Sequence, residues 1–378
     1  SPVIYWLCNI KFVPGLLMKL PTWQYIDRNN EIILLEHHTV VEDGIPDNIL
    51  NRDITIESTR FIEADLVHYP SGGCAFILSW NHILLDAKGT TLLFEHLNLL
   101  SENKPQSFDI FFPGKEKKTN IVTYIRNMYK VKKFVQTSSK PPVSSVACTS
   151  LKTGDGKTLT KVISFNVEET KKINANAFKT GSRFGPTLYL VACCTHVINF
   201  LNHQKNKAGD IWLPIPYDGR LRGAAGPLIS NCVSFLFYRI PVNEMNTIPQ
   251  TVKCLSTQMT AQIKDGIPQR YSMFLNMMRH MPLWLYYFLI SRTGKGVFAS
   301  FLYTSTGDNF NNLKSLFGEP IRNLNMIPAL TFPPGLTFVF LKHDNELNIN
   351  IAYSPDVINN NELHLIEEKI KEILLADY

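Results

Sequence analysis

A chain of 378 residues is too long for one ordinary hydrophobic core, which predicts two domains or lobes. With 45% hydrophobic and 19% charged residues, the composition is typical of globular proteins and excludes a disordered or fibrous chain. The net charge of +6 comes from basic residues that are spread along the chain, so the sequence does not indicate a nucleic-acid-binding protein.

The seven cysteines are scattered, odd in number and free of any CxxC pattern, and two of them lie in the apolar run Leu190–Cys194. This distribution predicts buried free thiols in a reducing compartment instead of a disulfide framework or a zinc site. The most apolar stretch, Met281–Ile290, is too short to cross a bilayer and contains Pro282. Because no signal peptide opens the chain, we expect a cytoplasmic protein without a transmembrane segment.

The polar stretch Gln136–Ser145, rich in Lys, Ser and Pro, predicts a surface connection between two lobes. We therefore assign residues 1–142 to an N-terminal lobe and residues 143–378 to a C-terminal lobe. The densest basic run is Lys115–Lys118, and the lysines at 130, 132 and 133 follow it. We interpret these lysines as a solvated connecting face.

In the N-terminal lobe, the apolar runs Glu31–Leu35 and Cys74–Trp80 predict strands. Apolar residues at helical spacing after Gly89 predict a helix over Thr90–Leu100. A strand, a loop and a helix therefore follow one another over this part of the chain.

In the C-terminal lobe, Asn166 and Glu169 form a capping-box pattern before a helix that ends at Ala177. The triplet Gly154-Asp155-Gly156 predicts a hairpin turn between two short strands. The remaining predicted elements are the strands Leu151–Thr153, Leu159–Phe165, Ile229–Ile240, Leu336–Leu341 and Leu347–Tyr353 and the helices Thr187–Leu201 and Asn360–Leu375. Because strands and helices mix in both halves, we predict an α/β (α+β) fold.

The stretch Tyr271–Ile290 is rich in Phe, Leu, Met, Trp and Tyr. We interpret it as a buried core helix. The alternatives are a lid over a long apolar ligand or a contact with a membrane surface.

The segment with the clearest chemistry is a buried-type strand that runs into His82-x-x-x-Asp86, followed by Gly89 and a helix. A neutral imidazole is suited to remove a proton from an attacking hydroxyl or amine at cellular pH. The aspartate is better suited to fix the loop by pairing with a basic residue. Its candidate partners are Arg220, Arg222 and Arg239, among which the sequence does not choose. The alternative is a histidine that only forms a hydrogen bond at the end of a strand.

This segment resembles the HHxxxDG motif of nonribosomal-peptide condensation domains, wax-ester synthases and polyketide-associated acyltransferases. It is also similar to the looser HxxxD motif of the wider chloramphenicol-acetyltransferase-like superfamily. His82 occupies the position of the catalytic base of those families. Asn81 stands where the condensation motif has its first His and Ala87 where it has Gly, which favours a stand-alone acyltransferase over a peptide-forming condensation domain.

Two further stretches resemble the same families, and the resemblance covers about residues 60 to 375. Trp212–Arg220, with the Gly226–Val233 stretch after it, is similar to the second-lobe region in which an Asn introduces a strand. Tyr303–Gly307 resembles the strand that faces the catalytic His, where hydroxyl groups stabilise the oxyanion. The resemblance thus implies a set of substrate-binding or oxyanion residues: Trp80, Asn81, Gly89, Asn231, Tyr303, Ser305 and Thr306. For the hydroxyl residues ordinary strand packing is the alternative, and Asn231 could simply turn the chain.

The resemblance implies two chloramphenicol-acetyltransferase-like lobes, each a mixed sheet with flanking helices, and an active-site tunnel at their interface. It further implies acyl transfer from a coenzyme A or acyl-carrier-protein thioester to a hydroxyl or amine, without a cofactor beyond that co-substrate. Two alternatives remain open. The altered motif is compatible with a catalytically silent module that binds a carrier protein, and a binding protein for small apolar ligands is the other alternative.

No metal site is predicted, because His37 and His38 follow a strand-like run without metal-ligand partners at a useful spacing. The acceptor, the acyl length, the donor carrier and the oligomeric state are not determined by the sequence.

Overall fold

The computed structural model describes residues 2–13, 22–26, 35–104, 120–146, 158–220, 229–278, 299–311 and 313–378. Helices and strands are mixed in both halves of the chain, and the predicted α/β (α+β) class is confirmed. The elements up to residue 138 are α1 (Pro2–Cys8), β1 (Ile10–Val13), β2 (Thr22–Tyr25), β3 (Leu35–Thr39), α2 (Asp47–Leu50), β4 (Ile62–His68), β5 (Cys74–Trp80), α3 (Ala87–Ser101) and α4 (Ile121–Ser138).

The elements after residue 158 belong to the C-terminal part of the chain. They are β6 (Leu159–Phe165), α5 (Val167–Lys179), α6 (Thr187–Gln204), β7 (Ile211–Asp218), β8 (Val233–Ile240), α7 (Ile248–Lys264), α8 (Ile267–Met278), β9 (Leu302–Ser305), β10 (Ser315–Leu316), β11 (Glu319–Pro320), β12 (Leu336–His343), β13 (Glu346–Tyr353) and α9 (Asn360–Leu374).

The N-terminal sheet has the order β3-β4-β5, with β3 parallel to β4 and β4 antiparallel to β5. Ile62 at the start of β4 faces Trp80 at the end of β5. A buried cluster joins this sheet to helix α3 through Leu84, Leu85 and Leu92. The six residues between β5 and α3 therefore lie at the end of a packed strand, where side chains can face a ligand.

The C-terminal sheet has the order β6-β13-β12-β9, in which only the β12–β9 pair is parallel. The antiparallel β7–β8 pair lies along the outer side of β9, because Ser300 N–H donates to the Trp212 carbonyl at 2.8 Å and Trp212 N–H donates to Ser300 Oγ at 2.9 Å. Helix α6 packs on one face of the sheet, where Phe338 and Phe340 of β12 belong to its core cluster. The opposite face contacts helix α3, since Leu341 of β12 and Phe94 of α3 share another cluster.

Several predicted elements are confirmed. The predicted strand Cys74–Trp80 is β5 with the same bounds, and the predicted helix Thr90–Leu100 lies within α3. Asn166 and Glu169 form both hydrogen bonds of a capping box, each at 2.9 Å, and helix α5 follows. The other predicted strands and helices after residue 158 are present, with ends that shift by a few residues.

Two predictions need correction. The strand predicted for Ile229–Ile240 begins only at Val233, because the residues before it cross the start of helix α3. The predicted surface connection Gln136–Ser145 starts inside helix α4, and its end is buried at Ser144. Arg239 holds this segment against the protein, since its guanidinium donates to the carbonyls of Ser138 and Lys140.

Some predictions fall on residues that the structure does not describe: residues 31–34 of the first predicted strand, the Leu151–Thr153 half of the hairpin, and residues 279–290 of the apolar stretch. The lobe boundary at residues 142 and 143 stays a prediction. Within the described ranges, no helix is both long enough and apolar enough to cross a membrane. The cysteines in these ranges are free, with Cys193 and Cys194 buried and Cys74 exposed.

A buried carboxylate connects β4 to the loop before it. The side chain of Asp65 is fully buried, and Arg52 donates two hydrogen bonds to it at 2.7 and 2.9 Å. His38 of β3 lies 2.8 Å from the same carboxylate. Burial alone would raise the pKa of Asp65, but Arg52 and His38 hold that pKa below its usual value of 3.8.

We predict that Asp65→Asn lowers the free energy of unfolding by about 2 kcal/mol, because Arg52, which also binds Glu63 at 2.8 Å, would lose the buried one of its two carboxylate partners. The pKa of Asp65 is lowered by folding, so its contribution to stability is complete above the unfolded pKa and is lost as the pH falls through the folded one. Urea unfolding should therefore show a smaller difference in the free energy of unfolding between wild type and variant at about pH 3 than at neutral pH. The exposed Asp53→Asn is the control, and a gap that is independent of pH would contradict the assignment.

Candidate active site

His82 lies in the short segment that joins β5 to α3. Leu84 and Leu85 of this segment are buried in the N-terminal core, whereas His82 and Ile83 are exposed. The two leucines anchor the segment, so the two residues before them project away from the core. The imidazole is accordingly open to an approaching molecule.

Asn81 and Trp80 hold the turn that presents His82. Asn81 N–H donates to the Phe61 carbonyl, and its side-chain oxygen accepts the N–H of Ile83, both at 2.9 Å. Trp80 Nε1 donates to the Leu85 carbonyl at 3.1 Å. Both residues were predicted as substrate-binding candidates, and the structure gives them contacts within the turn itself. An Asn side chain that bonds to the backbone two residues later is a common turn-forming contact.

The carboxylate of Asp86 accepts four hydrogen bonds. It caps helix α3 by accepting Gly89 N–H at 2.7 Å, and it accepts Cys232 N–H at 2.8 Å. Arg220 binds it with both terminal nitrogens, at 2.8 and 2.9 Å. These are contacts to backbone and guanidinium, so the carboxylate holds chain segments together.

Arg220 is the partner that the sequence left open among three arginines. Arg239 instead binds Asp210 at 2.8 Å, and Arg222 lies outside the described residues. Burial favours the neutral form of Arg220, but the contact with Asp86 outweighs it and raises the pKa of the guanidinium above its usual value. Arg220 also donates to the Ser230 carbonyl at 2.6 Å, which ties β7 to the segment before β8.

Asn231 contacts His82 directly. Its amide nitrogen donates to the His82 carbonyl at 2.6 Å and lies 3.4 Å from His82 Nδ1. Its side-chain oxygen accepts Val233 N–H at 3.1 Å, which fixes the orientation of the amide. Of the sequence-predicted substrate-binding residues, Asn231 is thus brought against the histidine.

Strand β9 carries two of the three predicted hydroxyl residues, Tyr303 and Ser305, and Thr306 follows it. Tyr303 pairs with Phe338 and Ser305 with Phe340 in the parallel β9–β12 register, and both of these β12 residues face helix α6. Because residues paired in a ladder share a face of the sheet, the side chains of Tyr303 and Ser305 lie on the face that packs against helix α6. Ser305 Oγ accepts Gly307 N–H at 3.2 Å.

Thr304 lies in the same Tyr303–Gly307 stretch but is not among the residues predicted from the sequence. It pairs with Val339, which alternates with the α6-facing residues and therefore shares the face of Leu341 towards helix α3. Thr304 is half-buried. Thr306, beyond the end of the strand, is buried, and its backbone N–H donates to the Phe340 carbonyl at 2.9 Å. Knowledge of the register would have been needed to choose among these hydroxyls.

A second polar cluster lies on the N-terminal sheet. Glu36, His38 and Asp65 each place one possible metal-ligand atom within 4.8 Å of the others. Parallel pairing of β3 with β4, which no spacing in the sequence reveals, brings them together. The Asp65 oxygens already accept hydrogen bonds from Arg52, so a metal ion there would face a guanidinium. The prediction of no metal site stays a prediction.

No protein-family model and no curated protein sequence matches this chain. Its structure is similar to the first condensation domain of the CDA synthetase, with a TM-score of 0.66 and 14% identity over 98% of this chain and 84% of that chain. It is similar to the trichothecene 15-O-acetyltransferase from Fusarium sporotrichioides, with a TM-score of 0.68 and 14% identity over 98% of this chain and 82% of that one.

A third similar structure is the polyketide synthase associated protein 5 from Mycobacterium tuberculosis, with a TM-score of 0.58 and 12% identity over 97% of this chain and 87% of that chain. At such identities these similarities establish the fold alone. The predicted resemblance to chloramphenicol-acetyltransferase-like proteins is confirmed at that level. It covers almost the whole chain, more than the sequence resemblance over about residues 60 to 375.

Gly89 allows the first turn of α3 to touch the segment before β8. A Cβ atom at this position would lie 2.4 Å from the Ser230 carbonyl oxygen. An alanine inside a helix normally stabilises it, but here the helix would have to move away from Arg220 and Cys232. We predict that Gly89→Ala lowers the free energy of unfolding by roughly 2 kcal/mol, measured by urea denaturation.

Gly44→Ala is the matched control for this variant, because a Cβ atom at Gly44 would meet nothing within 4 Å. We expect its stability to stay within about 0.5 kcal/mol of wild type. Equal stability of Gly89→Ala and wild type would show that the close approach of α3 to Ser230 is not needed for folding.

Proposed function

We propose that this chain is an acyltransferase that moves an acyl group from a thioester to a hydroxyl or amine, with His82 as general base. The observation that carries the proposal is the exposed imidazole after a core strand, in a turn that Asn231 fixes at the His82 carbonyl and that ends at Asp86, the N-cap of helix α3. The fold, which is similar to that of a condensation domain and of an acetyltransferase, supports the reaction class.

In the proposed reaction the acceptor binds beside the imidazole. His82 takes the proton of the hydroxyl or amine while the oxygen or nitrogen attacks the thioester carbonyl. The tetrahedral intermediate then expels the thiolate, which takes the proton from the imidazolium and leaves as a thiol. The acyl group ends on the acceptor and the base returns to its neutral form, so no covalent acyl-enzyme is required.

The negative charge on the carbonyl oxygen of the intermediate needs a hydrogen-bond donor. Thr304 is our candidate, because the β9–β12 register directs it towards the face that contacts helix α3. Ser305 points towards α6 by the same register, and Thr306 is buried. A donor aimed at the developing oxyanion contributes more to catalysis than to substrate binding.

The donor that we propose is a thioester of coenzyme A or of an acyl carrier protein. A net charge of +6 suits either of these anionic carriers. Asp86 and Arg220 act in this proposal as positioning residues. They fix the start of α3 and thereby the turn that carries His82.

We predict that His82→Ala slows acceptor-stimulated thiol release from acyl-CoA by about a hundredfold to ten-thousandfold, because the proton of the acceptor then has no base. The assay is thiol release from a panel of short and long acyl-CoAs, with and without alcohols and amines. The control is His364→Ala, whose side chain is exposed on helix α9 beside Glu368, and it should keep the wild-type rate.

Equal rates in wild type and His82→Ala would contradict the role of His82 as base. If neither protein releases thiol, the same acyl groups are tested on a phosphopantetheinylated carrier protein. Failure with both kinds of donor would contradict the proposed acyltransferase and favour the catalytically silent module.

The proposed oxyanion donor is tested by a matched pair of neighbouring variants. Thr304→Val keeps the shape of the side chain and removes its hydroxyl, and we expect kcat to fall by about a hundredfold. Ser305→Ala removes the hydroxyl on the opposite face and should change kcat by less than about threefold. The opposite order of effects would assign the oxyanion to Ser305.

A further inference from the structure

Helix α4 packs against the protein with one face and leaves the opposite face open to solvent. Val131 is fully buried, and Phe134 and Val135 pack against the same apolar cluster. The Tyr124 hydroxyl donates to the Met273 carbonyl of helix α8 at 2.9 Å. These contacts set which residues of α4 point outward, so its outer face is a permanent part of the surface.

The outer face of α4 carries a row of apolar side chains. Val122, Ile125 and Tyr129 have exposed fractions of 69%, 55% and 66%. Their spacing of three and four residues places them along one side of the helix. Single exposed apolar residues are common on proteins, but a continuous row marks a surface that contacts something apolar.

Four cations accompany this row. At 100° per residue, Arg126 and Lys130 lie on one flank of the row and Lys132 lies on the other. Lys133 follows Tyr129 by one turn. All four are exposed, and α4 contains no acidic residue. Because these side chains are exposed, their charges can be reached by a partner at the surface.

We propose that this outer face, defined by Val122, Ile125, Tyr129 and the four cations, docks the protein onto an anionic phospholipid bilayer. The apolar row would enter the boundary between headgroups and acyl chains, and the cations on both flanks would reach lipid phosphates. A tyrosine suits this boundary because its ring is apolar and its hydroxyl is polar. The attachment is peripheral and does not depend on the proposed acyl transfer.

The arrangement favours a bilayer over an acidic protein surface. The exposed side chains project from one helix, whose other face is held against the protein, and they form a ridge instead of a groove. A flat and laterally continuous partner can contact the whole ridge at once, with cations on both sides of the apolar row. A complementary protein would need its own matching concave surface with acidic rims.

The experiment is co-flotation of the full chain with unilamellar vesicles. One set of vesicles contains phosphatidylcholine alone, and the other contains phosphatidylcholine with phosphatidylglycerol. We expect binding to the anionic vesicles at least tenfold tighter than to the neutral ones, and a loss of that difference at about 1 M salt, where charges are screened.

Two double variants separate the contributions of charge and apolar surface. Lys130→Gln with Lys132→Gln should weaken binding to anionic vesicles about 25-fold, or about fivefold for each cation. Val122→Ser with Ile125→Ser should weaken it about tenfold or more at any salt concentration. These side chains are exposed, so far-UV circular dichroism and the melting temperature should match wild type.

The matched control is Ile263→Ser with Lys264→Gln on helix α7, where an exposed isoleucine and a lysine are also adjacent. This variant should bind vesicles as wild type does. Equal binding of wild type to both kinds of vesicle, or equal binding of the α4 variants and wild type, would overturn the proposal. So would the absence of vesicle binding by a protein that instead binds an acidic protein through α4.

Discussion

The carboxylate of Asp86 is almost completely removed from water, where an unpaired negative charge would cost several kcal/mol. Arg220 supplies the opposite charge with two hydrogen bonds, and the backbone N–H groups of Gly89 and Cys232 fill the remaining positions. These donors belong to the end of β7, the start of α3 and the segment before β8. One buried charge therefore fixes three separate parts of the chain, and none of them can move without exposing it.

Asp86 fixes the turn that carries His82 without contacting the imidazole ring. Asp86 has its four partners elsewhere, so the group that touches the His82 ring is the neutral amide of Asn231. The imidazole stays exposed while its backbone is held at the carbonyl. The proposed role of His82 needs a ring that an acceptor can reach, and the ring stays open while the backbone that carries it is fixed.

The sequence predicted β5, the helix after it and the HxxxD pattern, because hydrophobic periodicity and a motif are local properties. The sequence did not identify Arg220 as the partner of Asp86, because 134 positions separate the two residues and only the fold brings them together. It also named Ser305 and Thr306 but not Thr304. The side-chain direction on β9 depends on its pairing with β12, where a shift of one residue would exchange the two faces.

Helix α3 determines how the His82 turn lies relative to strand β9. Its first turn contacts Ser230 through Gly89, and its Phe94 lies against Phe310 with ring centroids 6.4 Å apart. Near its end, the side chain of Asn98 accepts the N–H of Phe317 at 3.1 Å. The helix is thus held at both ends by the segments that flank the C-terminal sheet. Because Gly89, Phe94 and Asn98 lie on one helix, the contacts of Phe310 and Phe317 with α3 relate these two residues to the turn that carries His82.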